Sequence, residues 1–181
     1  MLRLVIPIEA EKWDETKQEF VPPKTVTLQL EHSLVSLSKW EAKWNRPFLS
    51  RNDMTTEETI DYIKFMTLTP NVNPDVYNHL SSEHFEQVRK YILAPMTATV
   101  FSKDNDGKGS KEIVTSELIY YWMIALNIPF ECQKWHLNRL TTLIKVCNIK
   151  NSPPKKKSKR EILSRNAALN AARKKQLNTR G

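Results

Sequence analysis

Val26-Thr27-Leu28-Gln29-Leu30-Glu31-His32-Ser33-Leu34-Val35-Ser36-Leu37-Ser38-Lys39-Trp40-Glu41-Ala42-Lys43-Trp44 changes hydrophobic period partway along. Val26, Leu28 and Leu30 alternate with polar residues, which is the two-residue period of a half-buried strand. Ser33 then offers an N-cap, and Leu34, Leu37, Trp40, Ala42 and Trp44 follow at near-helical spacing until Pro47 stops the run. A strand handing over to a helix this early, with mostly helical patterns after it, places the chain in the α+β class, mainly helical.

The segments on either side fit that frame. Residues 2–8 are rich in Leu, Val and Ile and suit a buried first strand. Residues 9–20 are polar apart from Trp13 and Phe20, and read as a long hairpin connection broken by Pro22-Pro23. Thr55-Thr56-Glu57-Glu58 is a helix-start signature, with acids where the helix dipole favours them. Ile60, Ile63, Phe65 and Met66 supply that helix with an apolar side. A short helical turn is expected at Asn73-Pro74, and Ser82 is expected to cap a helix that Pro95 ends.

Residues 96–101 and 111–115 are β-rich and flank Asp104-Asn105-Asp106-Gly107-Lys108-Gly109, so a hairpin near residues 96–115 is predicted. Ser116 is expected to cap the next helix. Its Leu118, Ile119, Tyr121, Trp122, Ile124, Ala125 and Leu126 are apolar almost all round, as in a helix that is central or covered by a partner. Pro129 starts a last body helix, expected as one piece from residue 130 to about 148. Pro153-Pro154 closes the body.

Charge divides the chain more sharply than hydropathy does. Of its 181 residues, the last thirty-one hold ten Lys or Arg against one acid, a net of +9. The whole chain carries +8, so residues 1–150 sum to −1. Residues 1–150 therefore read as a globular body, and residues 151–181 as a basic C-terminal arm, disordered or helical on binding. The arm's Ala-rich stretch with Ile162, Leu163, Leu169 and Leu177 has helical propensity, but isolated helices of about 15 residues are marginal in water. With three Gly in the chain, Gly-rich phosphate loops are excluded. No run of eighteen apolar residues and no signal-peptide pattern occurs, so a soluble, unexported protein without a membrane partner is expected. Cys132 and Cys147, the two cysteines, sit in helical patterns, which points to a reducing setting.

Three constellations invite chemistry, and each has a plainer reading. Asp104–Gly109 looks like a calcium loop until Gly107 is set at the sixth position. The first position is then Ser102 and the twelfth Ile113, so a turn explains the carboxylates. Cys132 and His136 lie four apart, with Cys147 as the one further thiol; that falls short of a closed zinc site, and both cysteines suit buried apolar stripes. His32, His79 and His84 are dispersed, and Glu57-Glu58 is helix-start charge rather than an acid–base pair. No catalytic, metal or cofactor residue is assigned, and the expectation is a protein that is not an enzyme.

Contact residues are the remaining candidates. Trp40, Trp44 and Phe48 cluster around a helix exit, with core packing as the first reading and an exposed docking patch as the second. In the arm the candidates are Arg160, Arg165, Leu169, Arg173, Lys174 and Leu177. Such an arm solubilises, neutralises phosphates, or folds into a groove on another protein. No aromatic residue follows Trp135, which weakens base stacking with single strands, so docking on protein is preferred.

Glu31-His32-Ser33-Leu34, Ser38-Lys39-Trp40-Glu41-Ala42-Lys43-Trp44, Pro47-Phe48-Leu49, Tyr120-Tyr121-Trp122-Met123-Ile124-Ala125-Leu126 and Trp135-His136-Leu137-Asn138-Arg139-Leu140 together resemble proteins of long-tailed bacteriophages. So does the ending Arg165-Asn166-x-Ala168-Leu169-Asn170-Ala171-Ala172-Arg173 … Leu177-Asn178-Thr179-Arg180-Gly181. The likeness is to small proteins encoded among tail genes, and tail assembly chaperones are its best match. That resemblance implies a non-enzymatic role: coating the long, helical tape measure protein until tail tube subunits polymerise around it. It implies a tape measure protein or major tail protein as partner, with self-association besides. It also implies action in the host bacterial cytoplasm and absence from the mature virion. The alternative is a nucleic-acid-associated structural virion protein near the head–tail junction, with the arm on nucleic acid.

Overall fold

The computed structural model describes residues 1–9, 12–14, 18–21, 23–50, 53–101, 112–152 and 159–177. Strand β1 (Leu2–Pro7) pairs antiparallel with β4 (Thr25–Leu30), Leu4 opposite Leu28 and Ile6 opposite Val26. The two-residue period sends Leu4, Ile6, Leu28 and Leu30 fully into the core while Arg3, Val5 and Pro7 face out. Between them β2 (Lys12–Asp14) and β3 (Glu19–Val21) form a short antiparallel ladder, with Trp13 and Phe20 in edge-to-face contact across it. The connection between the two long strands is thus itself a small hairpin. Beyond β4 the chain is held by Glu31 N–H donating to Met66 O and Leu68 N–H donating to Gln29 O, which partly covers an edge that would otherwise stay open.

Helix α1 (Leu34–Trp44) begins with a capping box, in which Ser33 and Ser36 each satisfy the other's backbone N–H. It ends at Asn45, whose left-handed backbone (φ 53°) lets its N–H reach Glu41 O; the stop comes two residues before Pro47. Helix α2 (Thr56–Met66) starts with a second capping box, Thr55 with Glu58. A 3-10 segment (Pro74–His79) follows, then α3 (Ser82–Leu93), α4 (Ser116–Ala125), a second 3-10 segment (Phe130–Lys134), α5 (Leu137–Asn151) and α6 (Lys159–Leu177). The architecture is mainly helical with a small antiparallel sheet at the N-terminus. Contacts divide the chain into two units, Met1–Asn148 and Ile149–Gly181.

In the first unit the inner face of the β1–β4 ladder, α1, α2, α4 and α5 enclose one core. Trp40, Tyr62, Met66, Ile119, Met123 and Leu140 are among its largest members. Four expectations need correction. The helix from 130 to 148 is two pieces, because the backbone at Trp135-His136 leaves the helix to pair with the start of α1: His136 bridges Ser33, and Leu137 N–H donates to His32 O. The caps of α3 and α4 are Ser81 and Thr115, one residue before Ser82 and Ser116. Among the described residues, 96–101 and 112–115 form no strand. Met96 takes a left-handed backbone (φ 50°) and Val100 is almost fully exposed, so neither run has the partner a ladder requires. The expected turn at 104–109 lies outside the described residues.

Candidate functional site

The ionisable residues buried in the first unit are each occupied by structure. Glu41 on α1 accepts Phe48 N–H at 2.9 Å with Oε1 and Ser116 N–H at 2.7 Å with Oε2. One carboxylate therefore ties the exit of α1 to the N-terminus of α4, where backbone donors and the helix dipole favour an anion. Glu58 accepts Thr55 N–H at 2.8 Å and pairs with Arg46 at 3.3 Å, and its carbonyl accepts Trp40 Nε1–H at 2.9 Å. Burial pushes the Asp61 carboxyl up, but the hydrogen bonds and charges of Lys43 and Lys64 outweigh it and hold the group below its ordinary value.

A second cluster joins four elements. His32, just before α1, shares a 2.5 Å hydrogen bond between Nδ1 and Tyr62 Oη, and its ring meets His136 edge-on at 5.1 Å between centroids. His136 Nε2–H donates to Tyr91 O at 3.0 Å while its Nδ1 accepts from Asn138 N–H, which fixes a neutral tautomer. Tyr91 Oη–H donates to Glu31 at 2.6 Å. Burial, with the neighbouring His136 adding to it, brings the His32 pKa down to about 3, and burial likewise lowers His136. Burial raises both tyrosines, so all four rings are neutral near pH 7.

None of these groups faces a cleft as a free acid, base or nucleophile. A cleft of about 320 Å³ is lined by Glu41, Asn45, Arg46, Pro47, Thr115 and Glu117. Glu41 is already committed there, and hydrogen bonds from its own backbone N–H, Thr115 and Ser116 hold the Glu117 carboxyl low. A second hollow of about 500 Å³ is lined by the apolar Ile8, Val26, Pro70, Val72 and Val76 and equally by the polar Thr69, Asn71, Asn73, Asp75 and His79. Among the described residues no group of three His, Cys, Asp or Glu stands close enough to hold a metal ion. Cys132 is buried, and His136 uses both ring nitrogens on backbone partners. No helix among the described residues is long and apolar enough to cross a membrane.

The surface offers two other features. On α4, Ile119 and Met123 point inward while Tyr121 and Ile124, one turn apart, are 63% and 61% exposed. Tyr120 on the same side stacks on exposed Phe130 and donates its hydroxyl to Gln133. The all-round apolarity of α4 carried this signal in the sequence, but it did not say which arc stays uncovered. In the second unit, α6 presents Arg160 and every residue of 162–177 to solvent.

The sequence candidates separate accordingly. Trp40 is 0% exposed and Phe48 is buried, so as contact residues both are corrected to core: Trp40 meets Phe48 edge-on at 5.2 Å, and Phe48 lies against Tyr62 at 4.1 Å. Trp44 is half-buried beside Trp40, its Nε1 without a partner among the described residues. Arg160, Arg165, Leu169, Arg173, Lys174 and Leu177 all lie exposed on α6, along one helix rather than in one patch. Compared with known protein families, curated proteins and solved structures, the chain matches none.

Proposed function

We propose that this chain is a non-enzymatic tail assembly chaperone of long-tailed bacteriophages. In this reading it binds the tape measure protein, tail tube subunits or both in the host cytoplasm and is absent from the finished virion. The supporting observation is how its groups are disposed. The buried ionisable side chains are engaged in holding the first unit together, while an apolar arc at Tyr121, Ile124 and Phe130 is left in water. A client that exposes apolar helical stripes is shielded by a surface of that kind. The test is co-expression with a tape measure protein. The full chain raises the client's soluble fraction, and Tyr121→Ser with Ile124→Ser removes the gain; an unchanged soluble fraction with the full chain refutes the proposal.

A second reading, a nucleic-acid-associated structural virion protein, is favoured by the lack of a continuous apolar stripe on α6. Ile162, Leu169 and Leu177 share an arc with Asn166, Asn170 and Arg173, so burying that side in a protein groove desolvates an amide pair and a guanidinium. Phosphates carry no such penalty for a cation.

A further inference from the structure

We infer that α6 of one copy of this chain docks on the β2–β3 hairpin of a second copy, with Leu169 covering the Trp13–Phe20 pair and Arg165 and Arg173 at its two sides. This goes beyond both readings above, because it concerns how copies of the chain meet each other.

The hairpin carries two signals of a missing cover. Trp13 and Phe20 are cross-strand partners in edge-to-face contact at 4.8 Å, and yet they are 51% and 62% exposed. A two-stranded ladder of three residues a side is marginal in water, and leaving its large rings solvated forgoes the burial that would hold it. The second signal is charge. Residues 11–20 contain Glu11, Asp14, Glu15 and Glu19 against Lys12 and Lys17, so the stretch that bears the rings is acidic. A fitting occupant offers apolar area and positive charge together.

One side of α6 has that form. Ile162, Arg165, Leu169 and Arg173 fall within about 80° of arc at 100° per residue, and all four are exposed. Arg165 and Arg173 stand four residues to either side of Leu169, about 6 Å each way along the axis. A helix laid over rings 4.8 Å apart therefore sets one aliphatic side chain on the pair and a guanidinium beyond each edge. A guanidinium stacked on an aromatic face keeps its N–H edge in water, so an exposed hairpin spares it the desolvation that a closed groove imposes. The first unit already contains such a contact, Arg139 over Trp135 at 4.2 Å. The exposed arc at Tyr121 and Ile124 is the poorer occupant: residues 118–130 carry no charge and offer nothing to the acids. Because the arm and the hairpin are different surfaces, the contact is heterologous, and two copies close it by exchanging arms.

The test is sedimentation velocity on the nuclease-treated full chain over a concentration series. At roughly 50 mM salt the weight-average mass is expected to rise above that of one chain, and at roughly 500 mM salt to fall back towards it. Trp13→Ser with Phe20→Ser, and separately Arg165→Gln with Arg173→Gln, each weaken self-association at least about tenfold. An equimolar mixture of the two double variants regains it, since one retains the arm and the other the hairpin. All four positions are exposed, and circular dichroism matching the parent shows that the variants fold. A chain that stays monomeric at every concentration overturns the inference. So does either variant associating as the parent does, or a mixture that fails to recover what each variant lost.

Discussion

Moving from about pH 7.5 to pH 5 costs the first unit about 2 kcal/mol through His32 alone. The folded-state pKa of about 3 lies below the ordinary 6.5, so between those values the unfolded chain binds the proton that the folded chain refuses. Stability therefore falls as pH falls through 6.5, and the loss levels off below pH 3 at about 5 kcal/mol, from roughly 1.4 kcal/mol per pKa unit. His136 acts in the same direction. The depressed carboxyls of Asp61 and Glu117 lose their contributions only at lower pH, below the ordinary carboxylate range. The measurement is urea unfolding followed by tryptophan fluorescence, with Trp40 as an internal reporter. His32→Asn keeps an acceptor near Tyr62 Oη without a titrating ring. That variant is less stable at neutral pH, but its drop between pH 7.5 and 5 is smaller than that of the parent chain by about 2 kcal/mol. Equal drops in the two proteins would refute the account of a buried neutral imidazole.

Trp40→Ala should cost about 3–5 kcal/mol in urea unfolding by opening a cavity against Phe48 and removing the Nε1–H bond to the Glu58 carbonyl, whereas Leu177→Ala on α6 should change stability by under about 0.5 kcal/mol. Glu41→Gln replaces one of two acceptor oxygens by a donor and should destabilise by about 1–3 kcal/mol; hydrogen exchange should speed up at the Phe48 and Ser116 amides in particular. Tyr121→Ser with Ile124→Ser should leave the thermal midpoint within a few degrees of the parent, since both side chains stand in water, while removing the gain in tape measure solubility that the proposed function entails.

How much was legible depended on how far away the determining partner sat. Ser33 with Ser36 and Thr55 with Glu58 are three residues apart, and both helix starts could be read from the sequence. The alternation of Val26, Leu28 and Leu30 likewise placed a strand correctly. By contrast, the interruption at Trp135-His136 is imposed by backbone pairing with His32 and Ser33, which no local window contains. The hairpin near 96–115 rested on a turn signal between two β-prone runs, and neither signal supplies the ladder pairing itself. Trp40 and Phe48 face inward because Tyr62 and Glu58 from α2 complete their pocket, a fact of packing. The helical propensity of α6 was legible in its alanines, while its charge pointed to an arm disordered or helical on binding; that its leucines fail to align into a stripe follows from Asn166, Asn170 and Arg173 lying between them.

The bridge between Ser33 and His136 also governs when the molecule can finish folding. The two residues lie some hundred positions apart, so the entry to α1 has its final backbone partner only after most of the chain has left the ribosome. Closing so long a loop is a slow, late event compared with forming either capped helix. Until then the edge of His32 that meets His136, and the side of α1 that packs on α4 and the second 3-10 segment, stay uncovered in the nascent chain. Truncations ending before α5 are therefore expected to be captured by cellular folding factors or degraded rather than to accumulate as a stable fragment.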